Sequence, residues 1–409
     1  MSLASFALRA CPIPHRASHP GRHIAHQALA CAGLALAMGL AVLPATAQQV
    51  PAAPVAPASG HDPKPVTVAT GLVHPWALAF LPDGRFLVTE RPGRMRIVAA
   101  DGRLGPPLPG LPLVVAEGQG GLLDVVLDPR FATNRLVYWS YTEAGEGDLN
   151  GTAVARGRLD GEPGAERLAD VQVIFRQTPK FSGRHHFGSR LVFAPDGRLF
   201  VTLGERFTRK DDAQTLDNTI GKIVRIEADG KVPADNPFAT KAGARPEIWS
   251  YGHRNVQGAA VHPQTGELWA TEHGPQGGDE LNLVQPGRNH GWPVITYGRN
   301  YVTGTRIGDG TERADVVAPL QVWLPTSIAP SGLVFVTSDR YPGWKGSLVL
   351  GAMRAQSLVR LELDGRKVVR EHRHLTNLNH RIRDVRQGPD GLLYLLTDNP
   401  EGKLIKLVP

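Results

Sequence analysis

The feature that most constrains the fold is a short turn that recurs along the chain. Each copy leads from an apolar residue through Pro and Asp, Gly or Thr into a run of aliphatic and aromatic residues. Pro fixes φ for a turn, Asp-Gly supplies the positive φ of a tight hairpin, and such runs are typical of strands. The five clear copies are "FLPDGRFLVTE" (80–90), "VLDPRFATNRLVYWSY" (126–141), "FAPDGRLFVTLGE" (193–205), "VHPQTGELWATE" (261–272) and "GPDGLLYLLTD" (388–398).

The spacing of these turns predicts an all-β fold, a six-bladed β-propeller over residues 66–409. A degenerate sixth copy, "LVFVTSDRYPGWKGSLVLGAM" (333–353), fills the one wide interval, between Pro263 and Pro389. Six copies give about 57 residues each, within the range of four-stranded blades with inserted loops. Long amphipathic stretches of helical period are absent from the sequence. A large β-sandwich is the alternative, but it does not explain a turn repeated at this period.

The first 47 residues have the pattern of a cleaved export signal. The apolar run "ALACAGLALAMGLAVLPATA" (28–47) follows three arginines and ends in the small-x-small triplet Ala45-Thr46-Ala47. A single membrane anchor is the alternative, but the run contains Gly and Pro and lacks a basic flank after it. Both cysteines, Cys11 and Cys31, leave with the signal. We therefore expect a periplasmic or secreted protein without disulfides.

Residues 48–65, "QQVPAAPVAPASGHDPKP", are rich in Pro and Ala and predict an extended, disordered linker. The whole chain has a formal net charge of +7, and cleavage removes three arginines and no acids, which leaves +4. No basic stripe of the kind that binds phosphate backbones stands out, which argues against nucleic acid as a partner.

Two adjacent histidines, His185 and His186, precede the predicted inner strand of one blade. A neutral imidazole is an effective general base near pH 7, although a structural role is the common alternative. Alternation along a strand would send the two rings to opposite sides, so one of them is expected to face the channel. The same geometry argues against metal binding by the pair.

Three further polar residues sit beside glycines in other blades. Gln119, in "AEGQGGLLDVVLDP", has glycines that permit close approach of a ligand, although such a residue can also be an ordinary loop residue. Arg254 and Asn255, in "SYGHRNVQG" (250–258), combine a planar donor fork with an amide. A surface role for Arg254 is the alternative, and its hydrogen-bonding neighbours argue against that role.

The stretch "TEHGPQGGDELNLVQPGRNHGWP" (271–293) combines Glu272, Asp279 and Glu280 with a glycine-rich backbone. Hard cations such as Ca²⁺ bind carboxylate and main-chain oxygens in loops of this kind. The spacing of the helix–loop–helix calcium motif is absent, and a solvated acidic loop remains the alternative.

Arg381 and Arg383 stand two residues apart in a predicted extended segment and therefore on one face. Like charges side by side are unfavourable unless an anion lies between them. Together with Arg354, from the preceding blade, they favour a polyanionic ligand such as a polycarboxylate or a phosphate. Surface salt bridges are the competing interpretation.

Taken together, seven segments in matching order, from about residue 68 to 407, resemble the soluble PQQ-dependent aldose sugar dehydrogenases, the family of soluble quinoprotein glucose dehydrogenase. Those segments are "EGQGGLLDVVLDPRF", "HHFGSRLVFAPDGRLFVTLGER", "DNTIGKIVRIEADGKVPADNPF", "EIWSYGHRNVQG", "TEHGPQGGDELNLV", "NHGWP" and "RIRDVRQGPDG".

The resemblance implies a six-bladed propeller that holds pyrroloquinoline quinone (PQQ) and calcium and oxidises the anomeric carbon of aldoses to lactones by hydride transfer. His186 would be the general base. The implied cofactor contacts are Gln119, Arg254 and Asn255 near the reactive carbonyl, and Arg354, Arg381 and Arg383 toward the carboxylates. The implied calcium ligands are the main-chain oxygens of Gly274 and Pro275, and, for a further ion, Glu280 with the main-chain oxygen of His290.

Three positions depart from the family pattern. Arg354 replaces a lysine, His290 replaces a tyrosine, and His185 stands where glucose-specialised members carry Asp, so broad aldose acceptance is expected. The expected partners are an aldose substrate and an unidentified electron acceptor, with no membrane span, in a monomer or a homodimer. The alternatives are a calcium-dependent propeller lactonase, which has no use for Arg381 and Arg383, and a propeller that only binds carbohydrate or protein, which does not need His186.

Overall fold

The computed structural model describes residues 52–56 and 62–409, in which 25 strands form six sheets, so the predicted six-bladed β-propeller is confirmed. The predicted export signal, residues 1–47, lies outside the described residues. Helix is scarce within them: α1 spans Phe131–Asn134, and a single 3-10 helix spans Lys210–Gln214. Within the described part of the chain, no helix is long and apolar enough to cross a membrane.

Each blade is an antiparallel sheet whose first strand lies innermost, next to the first strands of its neighbours. Blade 1 contains β2 (Pro75–Phe80), β3 (Phe86–Glu90), β4 (Arg94–Val98) and β5 (Leu104–Pro107). Blade 2 contains β6 (Leu122–Leu127), β7 (Leu136–Ala144) and β8 (Leu149–Asp160), with β9 (Arg167–Arg176) and β10 (Phe181–Ser182) both paired to β8. Blade 3 contains β11 (Leu191–Phe193), β12 (Leu199–Thr202), β13 (Lys222–Ile226) and β14 (Ile248–Tyr251).

The other three blades follow the same order. Blade 4 contains β15 (Val256–Val261), β16 (Leu268–Glu272), β17 (Asp279–Leu283) and β18 (Gln321–Trp323). Blade 5 contains β19 (Pro330–Phe335), β20 (Leu348–Ala352), β21 (Ser357–Asp364) and β22 (Lys367–His374). Blade 6 contains β23 (Ile382–Gln387), β24 (Leu393–Thr397), β25 (Gly402–Val408) and, as its outer strand, β1 (Lys64–Leu72).

The ring closes through blade 6, because β1 from the start of the domain pairs with β25 at its end, with Lys64 opposite Val408. Six buried hydrophobic clusters each join one pair of neighbouring blades. The core of the protein is therefore distributed around the ring, one cluster per interface, as expected when each sheet covers the face of the next.

The repeated turns all occupy equivalent positions, each joining the first and second strands of a blade, including the degenerate copy between β19 and β20. The Asp of "PDG" folds the turn by accepting the N–H two residues on, as Asp83 does from Arg85 at 3.1 Å. The opposite end of the propeller, here named the site end, carries the loops between blades and those between second and third strands. The turns that reveal the repeat therefore lie away from the site end.

Residues 52–56 differ from the disordered linker that their composition predicts. Ala53 is buried and donates to Gln321 Oε1 at 3.0 Å, and Ala56 donates to the main-chain oxygen of Glu371 at 2.8 Å. Val55 forms a parallel bridge with Glu371 of β22, the outer strand of blade 5. An open sheet edge offers unpaired backbone groups to any extended segment, and this segment covers part of that edge. The propeller also starts earlier than predicted, since β1 begins at Lys64.

Candidate active site at one end of the propeller

The predicted site residues come from five blades, and most of them lie in loops at the site end. Glu280 and Arg383 lie on strands β17 and β23, and His290 lies in the long connection between β17 and β18. A cavity of about 200 Å³ lies there. Among the residues that line it are four of the predicted ones, Gln119, Asn255, Arg381 and Arg383. Other lining residues are Trp76, Arg91, Phe187, Gly188, Gln257, His273, Met353 and Asp398. Residues separated by more than 260 positions in the chain thus share one wall.

His186 lies in the loop that enters blade 3. It is not among the residues that line this cavity, although the next two residues, Phe187 and Gly188, are. Its side chain is buried, whereas His185 is exposed. The predicted cause of this separation is wrong: the pair ends five residues before β11 begins, and a loop with φ of 53° at His186 parts the rings instead of strand alternation. The main-chain N–H of His186 donates to Gln119 Oε1 at 2.9 Å, which ties the loop to blade 2.

The imidazole of His186 is held by a carboxylate. Its Nδ1 lies 2.5 Å from Oε1 of Glu205, a residue in the loop between β12 and β13. Burial lowers the pKa of His186 well below its ordinary value, and the positive charge of Arg254 lowers it further. Burial also raises the pKa of Glu205 to about 7. The imidazole is therefore neutral near pH 7, with Nδ1 engaged and Nε2 left to meet a substrate.

Two residues of the loop between β12 and β13, Gly204 and Arg206, fix the conformation of the His186 loop. A Cβ on Gly204 would lie 2.1 Å from the main-chain oxygen of His186, so only glycine permits the close approach. The buried guanidinium of Arg206 donates to the main-chain oxygens of His185 and Gly183, at 3.2 and 2.7 Å. It also lies 4.0 Å from the ring centroid of Phe187. These contacts fix the His185–His186 segment against blade 3.

Arg254 is buried rather than a surface residue, so the surface alternative fails. Its main-chain N–H donates to Glu272 Oε2 at 2.6 Å, and its Nη1 donates to the main-chain oxygens of His273 and Gly274, at 2.9 and 2.7 Å. The neighbouring Asn255 accepts the N–H of Gly188 through Oδ1 at 3.1 Å. The pair therefore connects the His186 loop to the acidic stretch of blade 4.

Arg381 and Arg383 do lie on one face, as predicted. Part of the negative charge that such a pair requires comes from a carboxylate of the chain itself. The Asp398 carboxylate lies 3.5 Å from Arg381 and 3.1 Å from Arg383. Although burial opposes ionisation, Arg383 and Arg91 hold the pKa of Asp398 well below its usual range. One carboxylate does not saturate the two guanidinium groups: Nε of Arg383 is buried and has no hydrogen-bond partner among the described residues.

Arg354 does not join this group directly. It is exposed, in the loop between β20 and β21, and is not among the residues that line the cavity. Its neighbour Met353 lines the cavity and contacts Arg381 through its sulfur atom, 3.7 Å from Nη2. Of the four predicted arginines, only Arg381 and Arg383 therefore line this cavity, and Arg254 lines the smaller neighbouring one instead.

The proposed calcium ligands form two groups in blade 4. The main-chain oxygen of Gly274 already accepts from Arg254, so a cation there would share this oxygen and add that of the adjacent Pro275. The second group surrounds a cavity of about 10 Å³, which is room for one ion or water, lined by Glu272, Glu280 and His290 among others. Burial and the nearby Glu272 carboxylate raise the pKa of Glu280 well above its usual range.

This second group has the donors that a hard cation requires. Asn282 donates to both Glu272 and Glu280, at 3.0 and 3.2 Å, which directs its own Oδ1 away, and that oxygen has no partner among the described residues. The Tyr297 hydroxyl is also buried without a partner in the described part of the chain, and its pKa is raised to about 12 by burial and by Glu280. Of these donors, only the two carboxylates line the small cavity, and they are the ligands there that fit a Ca²⁺ ion; Asn282 and Tyr297 do not line it.

Sequence reasoning missed three of the four carboxylates that hold these loops, and it considered the fourth, Glu272, only as a possible cation ligand. In four blades an acid at or just after the end of the second strand contacts the loop that enters the first strand of the same blade. Glu90 accepts the Val73 N–H, Glu205 contacts His186, Glu272 accepts the Arg254 N–H, and Asp398 contacts Arg383. The signal was visible, since "VTE", "LGE", "ATE" and "LTD" end four of the repeats. Only blade geometry shows what these acids face.

The fold and site define a propeller enzyme with a neutral buried imidazole beside an arginine-lined anion pocket. The profile of the family described as Glucose / Sorbosone dehydrogenase matches residues 72–406. The chain belongs to this family and is a sugar dehydrogenase, which confirms the resemblance seen in its motifs.

Individual comparisons agree with this assignment. The chain is 47% identical over 343 residues to aldose sugar dehydrogenase YliI of Escherichia coli (strain K12), covering 83% of this chain and 91% of that protein. A crystal structure of a glucose dehydrogenase matches with a TM-score of 0.82 and 50% identity, covering 85% of this chain and 100% of that one. The PQQ-bound form of aldose sugar dehydrogenase from Streptomyces coelicolor matches with a TM-score of 0.69 and 31% identity, covering 85% and 99%.

Proposed function

We propose that this protein oxidises the anomeric carbon of aldose sugars to lactones, with PQQ as the hydride acceptor, calcium as its metal and His186 as the general base. The observation that carries the proposal is the buried His186 imidazole, held at 2.5 Å by Glu205. The next two residues of its loop, Phe187 and Gly188, line the same cavity as Arg381 and Arg383. One relative of this fold is described as PQQ-bound.

The cavity residues fit such a cofactor. PQQ carries three carboxylates, and the cavity is lined by three arginines, Arg91, Arg381 and Arg383. Nε of Arg383 has no hydrogen-bond partner among the described residues. Gln119 and Asn255 supply amides on the same wall. Gly274 and Pro275 supply the main-chain oxygens for its calcium, and Glu280 with His290 the further site. When bound, the quinone supplies a hydride acceptor and calcium polarises its carbonyl.

The chain's own residues handle the proton. Nε2 of His186 takes the proton of the anomeric hydroxyl as the anomeric C–H bond breaks and the carbonyl of the lactone forms, so that no free alkoxide accumulates. The Glu205 carboxylate holds the ring through Nδ1 and stabilises the imidazolium that results. Arg254 lies close enough to lower the His186 pKa, which keeps the ring ready to accept a proton.

The alternative lactonase is less well supported. Such an enzyme needs side-chain carboxylates converging on a metal that the lactone can reach. The carboxylates that do converge, Glu272 and Glu280, border a cavity of about 10 Å³, which admits a single ion and no lactone.

The proposal includes export, because the pattern of residues 1–47 is that of a cleaved signal. Aldoses would then be oxidised in the periplasm or outside the cell, and a further protein or small molecule would take up the electrons.

Reconstitution tests the proposal. Purified apo-protein should acquire aldose-dependent dye reduction only when both PQQ and Ca²⁺ are supplied, with several aldoses accepted. His186→Ala should lower turnover by at least about 100-fold, the usual contribution of a general base, and leave the PQQ concentration for half-reconstitution unchanged. Arg381→Ala should raise that concentration instead. Lactone hydrolysis without aldose oxidation would favour the lactonase, and full activity of His186→Ala would remove the assigned base.

A further inference from the structure

An aromatic side chain stands exposed beside the base. Phe207 follows Arg206 in the loop between β12 and β13, and it is 49% exposed although large apolar side chains are normally buried. Its ring centroid lies 5.3 Å from that of His186 at an interplanar angle of 74°, and 5.4 Å from that of His185 at 45°. The edge contact with His186 and the tilted contact with His185 leave much of the phenyl ring open to solvent.

The backbone displays this ring at a conformational cost. Phe207 has φ of 67° and the preceding Arg206 has φ of 60°, a region that bulky side chains avoid. Arg206 is locked there by bonds to Asn150 and Gly183. Burial of Phe207 in a hydrophobic core does not offset this backbone strain, since half of the side chain remains exposed. Strain of this kind tends to persist where a site requires it.

A substrate of His186 would come close to this ring. A base must come within about 3 Å of the hydroxyl whose proton it removes. A six-membered sugar that brings its anomeric hydroxyl to Nε2 of His186 then lies beside a phenyl ring only 5.3 Å from the imidazole. The carbons of a pyranose present a face of C–H groups, which is the surface that an aromatic ring can cover.

We propose that Phe207 is a specificity-determining residue that forms an apolar wall of the sugar subsite and contacts the C–H face of the aldose. This inference rests on the proposed function and adds to it the residue that selects a sugar ring over an open-chain polyol. His186 then provides the chemistry and Phe207 the placement of the ring.

The test compares the wild-type holoenzyme with Phe207→Ala and Phe207→Tyr. The probes are D-glucose and D-xylose, two aldoses that both present a C–H face. Phe207→Ala should raise KM for both sugars about tenfold, equivalent to about 1.4 kcal/mol, with kcat within about twofold. Phe207→Tyr keeps the ring and should keep KM near the wild-type value. Val232→Ala, which trims another exposed apolar side chain between β13 and β14, should change neither constant.

Three outcomes would overturn the inference. An unchanged sugar KM in Phe207→Ala would show that the ring does not contact substrate. A shifted acid limb of the pH profile with an unchanged KM would show that the ring only shields the imidazole. A raised PQQ concentration for half-reconstitution would place the ring on the cofactor. Failure of the proposed function looks different, because the wild-type protein itself would then oxidise no aldose.

Discussion

At the scale of single residues, the proposed proton transfer depends on the proton equilibrium between His186 and Glu205. The two side chains are buried and in contact, and burial acts on them in opposite directions: it lowers the pKa of the imidazole and raises that of the carboxyl to about 7. Near pH 7 the imidazole is therefore neutral, and the Glu205 carboxyl is partly protonated. The carboxylate assists the base only when it is ionised, which requires a pH above about 7.

Glu205→Gln tests this dependence. In the wild-type enzyme, turnover should fall as the pH drops through about 7, because Glu205 gains a proton and no longer stabilises the imidazolium. Glutamine keeps a hydrogen-bond acceptor but has no charge at any pH. The variant should therefore lose about tenfold in kcat at pH 8 and lose the limb near pH 7. Measurement of kcat from pH 5 to 9 for the wild type and for Glu205→Gln tests this expectation.

The control for this variant is Glu143→Gln, since Glu143 occupies the equivalent strand end in blade 2 but pairs with Arg176 and Lys180. It should retain the wild-type pH profile. A limb near pH 7 that survives in Glu205→Gln would assign that titration to another group.

At the scale of elements, the end of the second strand supports the loop that enters the first strand in four of the six blades. In blade 3 this support depends on a backbone contact as well as on Glu205. Gly204 approaches the main chain of His186 so closely that no side chain fits between them. The position of the base is therefore set by the packing of two loops of one blade.

Gly204→Ala should displace the base. The added Cβ would lie 2.1 Å from the main-chain oxygen of His186, so the His186 loop has to move by about 1 Å, which can cost about 100-fold in turnover. Gly310→Ala is the matched control, because a Cβ there meets nothing within 4 Å. The comparison of kcat with the thermal unfolding temperature separates displacement from unfolding. Wild-type turnover in Gly204→Ala would contradict the account.

At the scale of the whole molecule, the propeller brings blades together at its axis through buried charges as well as apolar clusters. Nη1 of Arg190, just before β11, lies 3.1 Å from Asp124 of β6 and 2.9 Å from Asp384 of β23. Arg386 of β23 lies 2.7 Å from the same Asp124. Asp124, Asp384 and Arg190 are buried, so this network ties blades 2, 3 and 6 together where water does not weaken it.

Asp124→Asn should destabilise the whole ring. Removing one member of a buried ion network leaves the charge of Arg190 poorly compensated and typically costs about 3–5 kcal/mol. Urea denaturation should show this loss in the free energy of unfolding. Asp101→Asn, which breaks an exposed pair with Arg103, should show no measurable change. Equal stability of both variants would mean that the axial charges do not hold the blades together.

The repeated turn motif, and hence the number of blades, could be predicted from the sequence because a turn is formed by residues that are neighbours in the chain. Pro, Asp and Gly determine the backbone conformation of a few neighbouring residues, and a strand-forming run follows each turn directly. Six copies of this pattern therefore predict six blades. The residues alone also predicted that one of the two adjacent histidines would face inward and that Arg381 and Arg383 would share a face, since residue types and spacing are local too. The docking of residues 52–56 could not, because it depends on an open edge that another part of the chain provides.

What only the tertiary structure decided is which groups meet. Glu205 is 19 residues from His186, and Asp398 is 15 from Arg383, and nothing local to either acid reveals its partner. Burial, which sets the protonation of His186 and Glu205, comes from packing between blades. Arg354 shows the converse, because its charge suggested a place in the pocket and its loop leaves it exposed. Local conformation depends on steric contacts between residues that are close in the sequence. Electrostatic interactions at the site end depend on distances that only the closed ring of blades defines.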